Sequence, residues 1–223
     1  GNLLLDHLAG ARVSCYPTAQ YVEELDALFE QWQSYYAEQG RKALAIPTGG
    51  SDGIGVWGYL SAAAELANDM QLAGIEQAHV VCASGSGGTQ AGLTLGAALH
   101  RMPVSVWGVN VCDDEHYFLN KVADDVADWR SRYPGGPNAE LETRVIDGYV
   151  GAGYGKAGPE VFELIAELGR LEGVLLDPVY TGKAFSGMLA EIEAGRFDGY
   201  RDIVFIHTGG VFGLFPQSGG FSW

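Results

Sequence analysis

The stretch Val80-Val81-Cys82-Ala83-Ser84-Gly85-Ser86-Gly87-Gly88-Thr89-Gln90-Ala91-Gly92-Leu93 passes from an apolar run, through a turn almost bare of side chains, into a run of small residues. A short apolar run closed by glycines reads as a buried strand, and the small-residue continuation reads as a helix. Glycine lets a ligand come close to the backbone, and successive N–H groups at a helix start make an anion site. The simplest guest is a phosphate. The dinucleotide pattern G-x-G-x-x-G fails, because Gln90 stands where its last glycine is needed. The P-loop pattern fails as well, since no lysine follows the glycines. What remains is a Ser/Gly/Thr cup suited to a phosphate monoester held by amides and hydroxyls.

Working outward, strands and helices alternate. Leu4, Leu5 and Leu8 recur at helical spacing, Ala11 to Tyr16 reads as a strand, and Val22, Leu25, Leu28, Phe29 and Trp32 mark one helix face. Ala43 to Pro47 reads as a second strand, closed by Thr48 to Gly53 and followed by a helix from Val56 to Met70. The strand Ala78 to Ala83 leads into the glycine turn and a helix to His100. A strand Val104 to Val109 then precedes a helix Leu119 to Trp129. Beyond the turn-rich residues 132–138 come a strand Thr143 to Ile146, a glycine loop Gly148 to Gly158, helices Pro159 to Leu171 and Lys183 to Ala194, and a strand Ile203 to His207. This order predicts an α/β protein with open, mostly parallel sheets flanked by helices. Ligands of such sheets sit beyond the carboxyl ends of the strands. Glycine clusters follow Ala83, Ile146 and His207, so one cleft is expected to gather them.

At 223 residues and 47% hydrophobic content the chain can bury a sizeable core. A formal net charge of −15 with only 13 Lys and Arg argues against a nucleic-acid partner. Cys15, Cys82 and Cys112 are widely spaced and suggest neither a disulfide framework nor a zinc site, which fits a reducing cytoplasm. No apolar run reaches the length of a membrane span. The chain opens on Gly1-Asn2-Leu3-Leu4-Leu5 without Met and enters a helical pattern at once, which reads as the middle of a longer protein.

Asp177-Pro178-Val179-Tyr180-Thr181-Gly182-Lys183-Ala184, together with Ser84 to Leu93, Ile46-Pro47-Thr48-Gly49-Gly50-Ser51 and His207-Thr208-Gly209-Gly210, resembles the D-cysteine desulfhydrase and aminocyclopropane-carboxylate deaminase family. These are pyridoxal-phosphate enzymes of the tryptophan-synthase-β fold (fold type II), and the resemblance covers essentially the whole chain. It implies a large and a small domain with the N-terminal part missing: residues 1–65 are the remainder of the small domain and 66–223 the large cofactor-binding domain. It also implies pyridoxal 5'-phosphate as cofactor, a small amino-acid substrate and a homodimer. Carried over, Gly85, Ser86, Gly87, Gly88 and Thr89 match the phosphate loop, and Tyr180 matches the tyrosine whose ring lies against the cofactor pyridine. Thr181 falls where the family's deaminases carry a glutamate against the pyridine nitrogen and its desulfhydrases a threonine. A carboxylate there would keep the nitrogen protonated and the ring a strong electron sink, whereas a hydroxyl leaves a weaker one. Expelling a thiolate can manage with the weaker sink; opening a cyclopropane is harder. Tyr154 matches the second active-site tyrosine, a proton donor toward the leaving sulfur, and Thr208 matches a substrate contact in desulfhydrases. The resemblance is therefore closer to D-cysteine desulfhydrase, releasing sulfide, pyruvate and ammonia, with L-cysteate or aminocyclopropane carboxylate as alternative substrates.

Such an enzyme needs a lysine to hold its cofactor as a Schiff base. The four lysines, Lys42, Lys121, Lys156 and Lys183, stand outside the family's Asn-Lys-x-Arg-Lys setting, so the chain by itself is expected to form no such link. A non-catalytic phosphate-binding module is the alternative from another class. A further rival rests on Gly49-Gly50-Ser51-Asp52-Gly53, which satisfies G-x-S-x-G between strand and helix and offers Ser51 as a hydrolase nucleophile, with Asp177 or Asp198 and His207 in the chain order of a triad. His207 itself reads as a hydrogen-bonded strand-end histidine. Asp113-Asp114-Glu115-His116 carries metal-ligand types at consecutive spacing, which points the side chains apart and favours a helix start; no metal is expected.

Overall fold

The computed structural model describes residues 1–135 and 139–222, and the chain forms two compact units, Gly1–Thr48 and Gly49–Trp223. Part of the turn-rich connection read at 132–138 lies outside the described residues. The first unit holds two helices, α1 (Asn2–Leu8) and α2 (Thr18–Ala37), the second kinked at Glu24, where φ is −124°. Along α2, Trp32, Tyr35 and Tyr36 pack ring against ring, with centroids 5.3 to 6.2 Å apart. The strands read at Ala11–Tyr16 and Ala43–Pro47 do not form; both stretches lie outside any β-ladder. A strand exists through its hydrogen-bonded neighbour, and neither stretch finds one here. Leu44 and Ile46, apolar residues of the second stretch, remain 80% and 66% exposed.

The second unit is built on four parallel strands in the order β3-β2-β1-β4. Its elements run α3 (Val56–Ala73), β1 (Ala78–Ser84), α4 (Gly88–Leu99), β2 (Val104–Asn110), α5 (Glu115–Arg132), β3 (Arg144–Ile146), α6 (Pro159–Glu172), α7 (Thr181–Glu193) and β4 (Asp202–Phe205). The central strand β1 is buried at every residue, as a parallel strand covered on both faces must be. Its side chains alternate: Val80 and Cys82 join Leu93, Ala97 and Val106 on the α4 side, while Val81 and Ala83 join Val109, Ile146, Ala184 and Met188 on the α7 side. Helix limits follow local chemistry. Pro159 occupies the first turn of α6 and Gly173 ends it in the left-handed region, at φ 69°. Asp114 caps α5 by accepting from Tyr117 N–H at 2.7 Å. That accounts for the acidic run as a helix start, and no group of three metal-ligating side chains gathers among the described residues. None of the described helices is long and apolar enough to cross a membrane.

Helices α3 and α4 approach closely because α4 presents glycines to α3. A Cβ on Gly92 would lie 2.5 Å from Tyr59 Cβ, and one on Gly96 would lie 2.5 Å from Ala63 Cβ. At the amino-terminal edge of the sheet His79 is buried, accepts from Trp107 Nε1 at 3.2 Å through Nδ1, and stacks on Tyr200 at 4.5 Å. Burial lowers its pKa, only partly opposed by the Phe197 carbonyl. Protonation of His79 is thus disfavoured in the fold relative to the unfolded chain, where the ring takes up a proton below about pH 6.5. The unfolded state then binds more protons, so this contribution is complete above that pH and is lost as the pH falls below it. The denaturation midpoint should drop between pH 7.5 and 5.5, and by less in His79→Gln; an equal drop in both proteins would remove His79 as a cause.

Candidate cofactor site

The parallel order brings the carboxyl ends of β1, β3 and β4 to one edge, and the glycine turns gather there. After β1, Gly87 adopts φ 87° and serves as the N-cap of α4. From Gly87 the chain enters α4, whose first turn carries the amides of Gly88 and Thr89, and Ser86 and Thr89 are half-buried there. Ser84, at the strand end, faces Gln90: its Oγ donates to Gln90 Oε1 at 2.7 Å, and Gln90 Nε2 donates to the Arg144 carbonyl at 2.7 Å. Gln90 fills the space over Gly108, where a Cβ would lie 1.9 Å from Gln90 Oε1. The residue that breaks the dinucleotide pattern is therefore a buried brace among β1, β2 and β3.

Tyr180 forms the wall opposite. Its ring lies across Gly85, so that a Cβ on Gly85 would come within 2.7 Å of Tyr180 Cε1. Its hydroxyl hydrogen-bonds the hydroxyl of Tyr154, with ring centroids 5.8 Å apart. Burial first, then the bond to Tyr154, raise the Tyr180 pKa, so its proton stays on at neutral pH. Tyr154 is 57% exposed, on a loop in which Gly148, Gly151, Gly153 and Gly155 all have positive φ. Lys183, only 2% exposed, holds that loop: its Nζ donates to the Val150 carbonyl at 2.6 Å and the Gly153 carbonyl at 2.8 Å. Desolvation lowers the Lys183 pKa. Cys112 donates to the Gly85 carbonyl at 3.3 Å, and burial raises its thiol to about 11, which keeps it an unreactive packing group beside the cup.

The turn carrying Tyr180 is organised by Asp177. Its Oδ1 accepts from Val179 N–H and Tyr180 N–H at 2.8 Å each, and its Oδ2 accepts from Thr181 N–H at 2.9 Å and Thr181 Oγ1 at 2.7 Å. Thr181 is fully buried, and its hydroxyl also accepts from Asp177 N–H at 2.9 Å. Gly210 closes over the same carboxylate; a Cβ there would lie 2.4 Å from Asp177 Oδ2. Thr208 lies exposed on the turn leading to Gly210, and Lys156 is exposed on the Tyr154 loop. His207 Nδ1 accepts from Gly209 N–H at 3.0 Å, which leaves Nε2 to donate to the Leu175 carbonyl at 3.0 Å. It pins the turn after β4, as its sequence position suggests.

Ser51 is only 4% exposed and faces the phosphate-type loop, not a histidine: it donates to Ser86 Oγ at 2.7 Å and accepts from Gly88 N–H at 3.1 Å. Its G-x-S-x-G match carries no triad, because His207 is committed to Gly209 and Leu175. The residues sequence reasoning missed as site builders are Asp177, Gln90, Lys183 and the Ser51–Lys121 pair. Only Asp177 left a local signal, an aspartate just ahead of a helix start.

The family model described as "Pyridoxal-phosphate dependent enzyme" matches residues 1–209. A Thermotoga maritima protein named "Putative 1-aminocyclopropane-1-carboxylate deaminase" is 40% identical over 98% of this chain and 67% of its own length. An Arabidopsis thaliana protein named "Bifunctional D-cysteine desulfhydrase/1-aminocyclopropane-1-carboxylate deaminase, mitochondrial" is 36% identical over 97% of this chain and 54% of its own length. A solved structure titled as an ACC deaminase homologue superposes with a TM-score of 0.86 at 33% identity, over 98% of this chain and 65% of that one. The chain belongs to the pyridoxal-phosphate-dependent enzyme family, with the parallel α/β architecture of fold type II, and it spans about half to two thirds of the length of these relatives. The residues fit the phosphate end of that cofactor: the loop from Gly85 to Thr89 leads into a helix start at Gly88 and carries the hydroxyls of Ser86 and Thr89, and its glycines let the turn pack closely against Tyr180, Lys121 and Ser51.

Proposed function

We propose that the whole protein is a lyase that eliminates the β-substituent of a small amino acid, with D-cysteine as the foremost substrate and sulfide, pyruvate and ammonia as products. One observation supports the preference: position 181 carries an uncharged hydroxyl, buried and donating to Asp177 Oδ2 at 2.7 Å. When bound, pyridoxal phosphate supplies electron withdrawal through its ring. Without a carboxylate at position 181 that withdrawal is moderate, which suits loss of a good leaving group such as thiolate. In this reading Gly85, Ser86, Gly87, Gly88 and Thr89 form the phosphate loop, and Tyr180 offers its ring face to the pyridine. Tyr154, on its exposed loop, carries a proton toward the leaving sulfur, and Thr208 borders the substrate. The Tyr154–Tyr180 hydroxyl contact supports placing the two phenols in one site. Lys183 and Lys121 have their amines engaged with carbonyls or Asp125, so neither is assigned to hold the cofactor. Residues 1–65 and 66–223 are assigned to a small and a large domain. Three free cysteines support a reducing compartment.

The second reading is aminocyclopropane-carboxylate deamination, favoured by the names of the Thermotoga and Arabidopsis relatives. Assay of D-cysteine, L-cysteate and aminocyclopropane carboxylate side by side separates the two. Sulfide release from D-cysteine should dominate and fall at least tenfold in Tyr154→Phe. Preference for the cyclopropane would reverse the assignment of Thr181. Cofactor binding without turnover of any substrate would leave a phosphate-binding module.

A further inference from the structure

Ser51 lies behind the cup, with its hydroxyl bonded to two members of the loop. A hydroxyl carries one proton and two acceptor sites. Ser51 spends its proton on Ser86 Oγ at 2.7 Å and accepts from Gly88 N–H at 3.1 Å. With Ser86 Oγ accepting from Ser51, the proton of Ser86 is directed away from Ser51. The Gly88 amide, in turn, is withdrawn from the set that can meet an anion. The backbone of Ser51 is fixed from α5: Lys121 Nζ donates to the Ser51 carbonyl at 3.0 Å and pairs with Asp125, and Gly53 N–H donates to Asp128 Oδ2 at 2.8 Å. Little slack remains, because a Cβ on Gly88 would lie 2.6 Å from Ser51 Oγ and one on Gly49 would lie 2.2 Å from Ser86 Oγ.

We propose that Ser51 is a positioning residue of the phosphate cup, taking up the Gly88 amide and turning the Ser86 hydroxyl proton toward the bound phosphate, with Lys121 holding Ser51 in place through its carbonyl. This rests on the reading of Ser84 to Thr89 as a phosphate site. It gives the G-x-S-x-G segment a role in binding, and it makes Ser51 act through Ser86.

The test is a thermodynamic cycle on the 223-residue chain, titrated with inorganic phosphate and with pyridoxal phosphate and followed by the amide chemical shifts of Gly85, Gly87 and Gly88. Ser51→Ala and Ser86→Ala should each weaken phosphate binding about fivefold, and the double variant should be no weaker than Ser86→Ala alone. Lys121→Met, which leaves the hydroxyl in place, should also weaken binding and should have no effect in the Ser86→Ala background; it carries the test if Ser51→Ala does not fold. Full additivity of either variant with Ser86→Ala would overturn the proposal, as would wild-type binding that Ser51→Ala leaves unchanged. Wild-type amides that do not respond to either ligand would overturn the phosphate-site reading itself, and the proposal with it.

Discussion

Gly87→Val is expected to lower pyridoxal phosphate affinity by about a hundredfold, and the reason is in the backbone. Gly87 holds φ 87°, a region in which a β-branched residue is strained by roughly 1–3 kcal/mol. A Cβ there would stand 3.0 Å from Lys121 Cγ, tighter than ordinary packing. Relief of either strain rotates the first amides of α4 out of the cup. Breaking one hydrogen bond to the anion costs about 1–3 kcal/mol, and about 2.8 kcal/mol is two orders of magnitude in affinity. Cofactor fluorescence titration measures it. Ser84→Ala is the contrasting control: its side chain faces Gln90, so the change should cost stability rather than affinity. Unchanged affinity in Gly87→Val would make the stretch a packing turn.

Asp177→Ala should have the largest effect on stability. The carboxylate is 1% exposed and receives three backbone N–H groups and one hydroxyl. Removing it leaves buried donors on Val179, Tyr180 and Thr181 without acceptors, at about 1–3 kcal/mol each before relaxation. A total of roughly 4 kcal/mol, and a fall in Tm of about 10 °C, is the expected outcome. Asp177→Asn should recover part of it, since one amide oxygen can still accept from Val179 and Tyr180 while the amide nitrogen faces the Thr181 N–H. Near-ultraviolet circular dichroism should report the release of the Tyr180 ring. A destabilisation under about 1 kcal/mol in Asp177→Ala would show that the turn is held by something else.

The stretch from Val80 to Leu93 can be read without coordinates because its signals are local. Apolar residues closed by a glycine turn specify a buried strand end, and a helix beginning in bare amides marks a candidate anion site. Pro159 and Gly173 bracket α6 for equally local reasons. The candidate residues Tyr154, Tyr180 and Thr181 are legible only through the resemblance of their motifs. Nothing in a spacing of 26 residues says that two phenols will touch.

Where a residue's role depends on its partner, sequence reading goes astray or falls silent. Ala11–Tyr16 and Ala43–Pro47 have the composition of strands, yet a strand is made by a neighbour and neither has one. Ser51 has the local pattern of a nucleophile, but its hydroxyl meets a loop 35 residues away. Lys183 looks like an ordinary charged residue at a helix start until the fold buries its ammonium under the carbonyls of Val150 and Gly153. The sequence by itself determined the alternation of strands and helices from Val56 onward and the tight glycine turn after β1, since backbone conformational preference acts within a few residues. Tertiary structure alone decided which polar groups are satisfied by which, because a buried donor must find an acceptor wherever the packed chain happens to supply one.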